Sequence, residues 1–182
     1  MIFTETPLRG AFVIEAEPLE DTRGLFARTW CRREFEAHGL EIRIAQCSTS
    51  FNKKKGTLRG MHYQLPPFAE AKMVRCTRGS MYDVIIDLRP GSPTFTDHIA
   101  VVLTAENRKA LYVPVGFAHG FQTLEDDTEV FYQISEFFAP DHSRGVRWND
   151  PAFAIPWPDD ERLIAERDRG YPDFCPEAFT HR

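Results

Sequence analysis

Between Lys72 and Thr123 turn signals recur about every ten residues, a rhythm that suits short strands and leaves no room for crossover helices. Apolar, β-prone runs at 73–76, 82–88, 99–103 and 110–114 alternate with Arg78-Gly-Ser80, Arg89-Pro-Gly-Ser-Pro93 and Glu106-Asn-Arg108. The expectation is an antiparallel sandwich or barrel rather than alternating β and α units. A further strand over 129–135 puts Val130, Tyr132 and Ile134 on one face, because side chains alternate along a strand. Tyr132 points inward if that face lines the barrel.

The flanks carry weaker patterns. Residues 11–15 read as a strand, Asp21-Thr-Arg-Gly24 as a turn and 25–30 as a loosely alternating strand. The best helix candidate of the first half is 32–38, closed by Gly39. Residues 42–50 are β-prone, and the lysine-rich stretch 52–56 reads as a solvated loop, with attraction of an anionic substrate as the alternative. Residues 159–167, with acids in the first turn, suggest a second short helix, and the tail from Tyr171 is expected to wrap over the surface. The fold class expected from the pattern is all-β, a sandwich or barrel with a few short peripheral helices, in one domain spanning 1–182. A chain of 182 residues buries enough surface for a core without cross-links.

Composition narrows the partners. A net charge of -5 argues against a broad nucleic-acid footprint but leaves room for local basic spots that hold a small anion. Cys31, Cys47, Cys76 and Cys175 fall at no metal-ligand spacing. With no apolar run near the roughly 20 residues of a membrane span and no basic-then-apolar start, a soluble, cytoplasmic protein with free thiols is expected.

The chemistry concentrates in two stretches, Gly56-Thr-Leu-Arg59-Gly-Met-His62-Tyr-Gln64 with the later Glu70 and Lys72, and Pro114-Val-Gly116-Phe-Ala-His119-Gly-Phe121. They resemble the two halves of the cupin signature, in which paired histidines face the mouth of a small β-barrel. A cupin metal site needs about four N/O ligands, and Gln64 stands where its second histidine would be. His62, Glu70 and His119 remain as a reduced set, so no metal is expected. Taken alone, each histidine reads equally well as a hydrogen-bonded barrel residue. Arg59 and Lys72 argue for more: turned inward they require partners, and a bound anion is the expected one.

Arg59-Gly-Met-His62-Tyr-Gln64, Lys72, Asp83-Val-Ile-Ile-Asp87-Leu-Arg89, Ser92-Pro-Thr94, the His119 stretch, Tyr132 and Trp148-Asn-Asp150 together resemble the dTDP-4-dehydrorhamnose 3,5-epimerase family, over about 21–168. The resemblance implies a cofactor-free epimerase of a nucleotide-diphosphate 4-keto-6-deoxy sugar. It also implies a jelly-roll homodimer whose N-terminal strands join the partner's sheet. By the same resemblance His62 is the base, Asp168 the acid that orients it, Lys72 the group that holds the enolate and Tyr132 the proton donor. Arg23 and Arg59 match diphosphate contacts, and Phe26, Gln46 and His119 also fall at substrate-contact positions.

Three positions depart from the family pattern. Arg28 replaces an acid, Ser48 an asparagine and Glu70 a glutamine. An arginine at 28 would donate to an unprotonated ring nitrogen, as in cytosine, so a CDP-linked sugar is one alternative. Epimerases of C3 alone or C5 alone, a metal-dependent cupin enzyme and a non-catalytic sugar-nucleotide binding barrel are the others.

Overall fold

The computed structural model describes residues 1–177; the remainder of the expected tail wrap and of the single domain, 178–182, lies outside the described residues. Two antiparallel sheets face each other. The first runs in the order β1 (Ile2–Glu5), β2 (Phe12–Glu15), β10 (Ala110–Val113), β7 (Lys72–Arg78), β12 (Thr128–Ile134), β5 (Gln46–Asn52). The second runs β13 (Ser143–Gly145), β6 (Thr57–Gln64), β11 (Phe117–Thr123), β8 (Ser80–Asp87), β9 (His98–Thr104), with β14 (Leu163–Ile164) added in parallel to β6. Val74, Leu111 and Val130 of the first sheet pack on Met81, Ile85, Leu103, Phe117 and Phe121 of the second. This is the all-β, cupin-like jelly roll that the resemblance implied, and it fits the antiparallel sandwich or barrel expected from the turn rhythm.

Both sheets are also covered outside. Helix α1 (Arg32–Ala37) inserts Phe35 against Phe12, Met73 and Tyr112, and the chain after β13 lays Val146 and Phe153 over Met61, Val84 and Ala118. Strands β8 and β11 are therefore buried on both faces, which explains why β8 reads as a near-continuous apolar run without alternation.

Local pattern and structure part company in a few places. The strand expected over 25–30 stops at Phe26: β3 (Leu19–Asp21) and β4 (Gly24–Phe26) form a separate hairpin, every residue of it exposed. Residues 42–45 are not in the ladder, and β5 starts at Gln46. The helix expected over 159–167 is replaced by a turn, by β14 and by the shorter α2 (Glu166–Arg169). Glu161 N–H bonds to the Asp159 carboxylate and Leu163 N–H to the Gly56 carbonyl. Pairing with β6 satisfies backbone that a short helix, with its costly nucleus, would leave open. β1 and β2 lie at the edge of the chain's own first sheet, and among the described residues β3–β4 pairs with no other strand.

Candidate active site

The two histidine stretches lie side by side because β6 and β11 are neighbours, and their register sets His62 opposite His119. The strands meet unusually closely at Gly60 and Gly120: a Cβ on Gly60 would sit 2.6 Å from the Gly120 Cα. Only two glycines permit that approach, and the register shift beside it turns both imidazoles toward the interior. Across the barrel β7 and β12 supply Lys72 and Tyr132.

A cavity of about 310 Å³ is lined by Ser48, Arg59, His62, Lys72, His119, Tyr132 and Asp168, among others. A second lobe of about 190 Å³ shares His62 and Lys72 and adds Gln46, Gln64, Glu70, Phe138, Ser143 and Arg167. Residues 62, 72, 132 and 168, distant in sequence, thus surround one space. Arg23, Phe26 and Arg28 do not reach it. Arg23 pairs with Asp21 on the exposed hairpin, Phe26 projects into solvent at the hairpin's end, and Arg28 binds Glu34 of α1.

His62 Nε2 lies 2.7 Å from Asp168 Oδ1, while the other carboxylate oxygen accepts the Gly60 N–H at 3.2 Å. Burial alone would raise the Asp168 pKa, but the His62 hydrogen bond and charge, the Gly60 N–H and nearby Arg167 outweigh it and hold the carboxyl below its ordinary value. An ionised Asp168 accepts, so Nε2 carries the hydrogen and Nδ1 keeps a lone pair. His119 Nε2 makes the same kind of bond to Asp83 Oδ1, at 2.6 Å, in a sealed position. There burial raises the Asp83 pKa against the pull of His119 and Lys72.

The ring of Tyr132 stands edge-on to His119, 6.1 Å between centres. Burial, then the Asp83 charge, pushes the Tyr132 pKa up against the opposing pull of Arg59, so the phenol holds its proton at neutral pH. The bound anion expected to satisfy Arg59 and Lys72 is not required: Lys72 Nζ lies 2.8 Å from Glu70 Oε1, and Arg59 Nε donates to Asn52 Oδ1 at 2.8 Å. Arg59 nevertheless remains exposed to the cavity.

The reduced metal set is likewise spoken for, His62 by Asp168, Glu70 by Lys72 and His119 by Asp83. Among the described residues no group of three His, Cys, Asp or Glu is placed to hold a metal ion, and no helix is long and apolar enough to cross a membrane.

A model of the dTDP-4-dehydrorhamnose 3,5-epimerase family matches residues 5–175 of this sequence. The chain belongs to that family. The dTDP-4-dehydrorhamnose 3,5-epimerase of Sinorhizobium fredii is 38% identical, covering 100% of this chain and 94% of its own. Among solved structures, the enzyme of that name from Bacillus anthracis, with TDP and PPi bound, superposes with a TM-score of 0.92 at 38% identity, covering 95% of this chain and 99% of that one. ChmJ, a 3'-monoepimerase from Streptomyces bikiniensis in complex with dTDP-quinovose, gives a TM-score of 0.86 at 35% identity, covering 92% and 85%. Like its relatives, the chain is an isomerase of the epimerase type, and its substrate is a nucleotide sugar.

Some partners escaped the reading of the sequence. Asp83 is one, although an acid in the middle of the apolar run of β8 was a usable signal, since a buried carboxylate calls for a partner. Asn52, Ser143 and Arg167 carry no such mark; only the folded register brings Asn52 to Arg59 and the other two to the cavity edge.

Proposed function

We propose that this epimerase inverts C3 and C5 of dTDP-4-dehydro-6-deoxyglucose, giving dTDP-4-dehydro-L-rhamnose without a cofactor. The observation that carries the reading is the convergence of His62–Asp168, Lys72 and Tyr132 on one cavity. A proton on carbon beside the C4 ketone is acidic only because the resulting electron pair spreads onto the ketone oxygen. His62 Nδ1 takes that proton, and Asp168 stabilises the imidazolium that forms. The C–H pair becomes the C=C bond of an enolate whose oxygen rests on the Lys72 ammonium. Tyr132 returns a proton to carbon from the opposite face and inverts the centre. Its raised pKa keeps the proton on oxygen until a stronger carbon base is there to take it.

Arg59, a forked guanidinium at the cavity edge, suits the diphosphate, with Gln46, Ser48 and His119 lining the remainder. Arg23, Phe26 and Arg28 enter the same scheme through a homodimer. A two-stranded hairpin is marginal by itself in water, and β3–β4 finds no sheet in its own chain, so it would be ordered by reaching the partner's cavity. Four unpaired cysteines suit a reducing, cytoplasmic setting.

The test is to incubate the protein with the 4-keto sugar nucleotide in heavy water and follow deuterium at C3 and C5. Label at both carbons is expected. Label at C3 alone points to a monoepimerase, and binding without any label sinks the proposal.

A further inference from the structure

His62 is held from two sides, and Asp168 is only one of them. Strand β13 runs beside β6 with Gly145 opposite His62. A Cβ on Gly145 would come within 2.3 Å of two ring carbons of Tyr171 and 2.8 Å of the Met61 carbonyl oxygen. The tyrosine ring therefore occupies the place where position 145 would otherwise carry a side chain. From that seat it stands edge-on to the imidazole, with ring centres 6.2 Å apart and planes inclined by 71°. Its hydroxyl is buried beside Arg167 and Asp168, within reach of the Arg167 guanidinium, and donates to no acceptor among the described residues. The hydroxyl thus offers no bond to His62, and the ring is what touches the imidazole.

The chain path makes this contact specific. α2 delivers Asp168 to Nε2, ends at Gly170, and the next residue is Tyr171. One short segment thus supplies both the hydrogen bond and the packing. A single hydrogen bond is a hinge about which the imidazole can still swing; a second contact on another side removes that freedom.

We propose that Tyr171 is a positioning residue for the reaction. Its ring, seated over Gly145, confines the His62 imidazole to the orientation in which Nε2 meets Asp168 and Nδ1 is left to the substrate. This rests on the role given to His62 above.

The experiment compares Tyr171→Phe, Tyr171→Ala and Gly145→Ala in the full-length protein. Tyr171→Phe keeps the ring and is expected to stay within about twofold of wild type in kcat. Tyr171→Ala is expected to lose about 10- to 100-fold in kcat with KM nearly unchanged, because misplacing a reacting group by an ångström costs on that order. Gly145→Ala drives the ring off its seat from the other strand and is expected to lower kcat in the same way. The substrate-free protein gives a second readout: NMR of the His62 ring protons should show a shifted titration midpoint and broader lines in Tyr171→Ala but not in Tyr171→Phe.

An unchanged kcat and an unchanged titration in Tyr171→Ala overturn the proposal. So does Tyr171→Phe falling as far as Tyr171→Ala, which would move the role to the hydroxyl. A wild-type protein inert toward the 4-keto sugar would instead overturn the proposed reaction, and the NMR readout would still decide the role of Tyr171.

Discussion

The barrel holds two His–Asp pairs of nearly equal length, 2.7 Å for His62–Asp168 and 2.6 Å for His119–Asp83, on strands that are direct neighbours. They differ in what surrounds them. The His62 side chain is 36% exposed and Asp168 7%, whereas His119 is 6% exposed and Asp83 0%. Asp168 has a backbone N–H on its second oxygen, and its pKa falls; the second oxygen of Asp83 is buried with no partner among the described residues, and its pKa rises. A proton-transfer dyad needs one face open to substrate and an acid that stays ionised. The first pair meets both conditions, while the second is built to fix a ring inside the wall.

The sharpest way to break this division is to delete each imidazole. His62→Ala is expected to lower deuterium entry by about 10³- to 10⁴-fold, the usual contribution of a positioned base together with its oriented partner, with a smaller loss of stability than His119→Ala because the Gly60 N–H still holds the Asp168 carboxylate. If His119→Ala abolished exchange equally while leaving stability untouched, the division would be wrong.

Next in size is Asp168→Asn, for which the structure fixes the outcome. Gly60 N–H demands an acceptor, so the amide oxygen turns to it and the NH2 group faces His62 Nε2. The imidazole must then accept at Nε2 and carry its hydrogen on Nδ1, the tautomer that cannot act as base. A loss of about 10³-fold in kcat is expected, somewhat less than the roughly 10⁴-fold loss seen when the His–Asp pair of a serine protease is given the wrong tautomer. Activity within tenfold of wild type would show that Asp168 does not set the tautomer.

Deleting the sealed histidine reads out differently. His119→Ala leaves Asp83 buried and uncompensated, and breaking a buried pair in this way costs about 3–5 kcal/mol of stability. Urea unfolding of the variant should show that loss, while Asp83→Asn, which removes the charge and nearly keeps the shape, should lose less. Equal stability of His119→Ala and wild type would mean that the wall tolerates the vacancy.

How much of this was legible beforehand follows from the same contrast. The antiparallel sandwich or barrel was, because short strands punctuated by Gly, Pro and Asn leave few other solutions, and alternation put Tyr132 on one face with Val130 and Ile134; the jelly-roll topology came from the resemblance. The strands with both faces covered, β8 and β11, gave no alternation, so Asp83 went unassigned and His119 could be read as a hydrogen-bonded barrel residue. Asp168 came from family likeness: nothing local in Glu166-Arg-Asp168-Arg signals that β14 will pin this segment beside β6 and deliver the carboxylate to His62. Positions 23, 26 and 28 matched substrate contacts, yet the chain's own fold leaves them outside the cavity, since a separate hairpin has no register that ties it there.

The smallest effect is a difference in pH dependence, and it separates the two acids by sign. A carboxyl whose folded pKa lies below its unfolded value contributes stability that is full above the unfolded pKa and is lost as pH falls through the folded one. Asp168 is such a group, so its share changes only below about pH 4, the ordinary range of an aspartate. Asp83 is raised, and the sign reverses: the folded state binds the proton more tightly, and stability declines as pH rises from about 4 toward the folded pKa. Unfolding free energies measured in urea between about pH 2.5 and 6 should therefore diverge in two windows. The gap between wild type and Asp168→Asn should grow in favour of wild type as pH climbs to about 4 and then flatten; the gap to Asp83→Asn should shift against wild type above that point. Parallel curves for both variants would mean that the two carboxylates share one environment, and the open and sealed dyads would have to be treated as a single network.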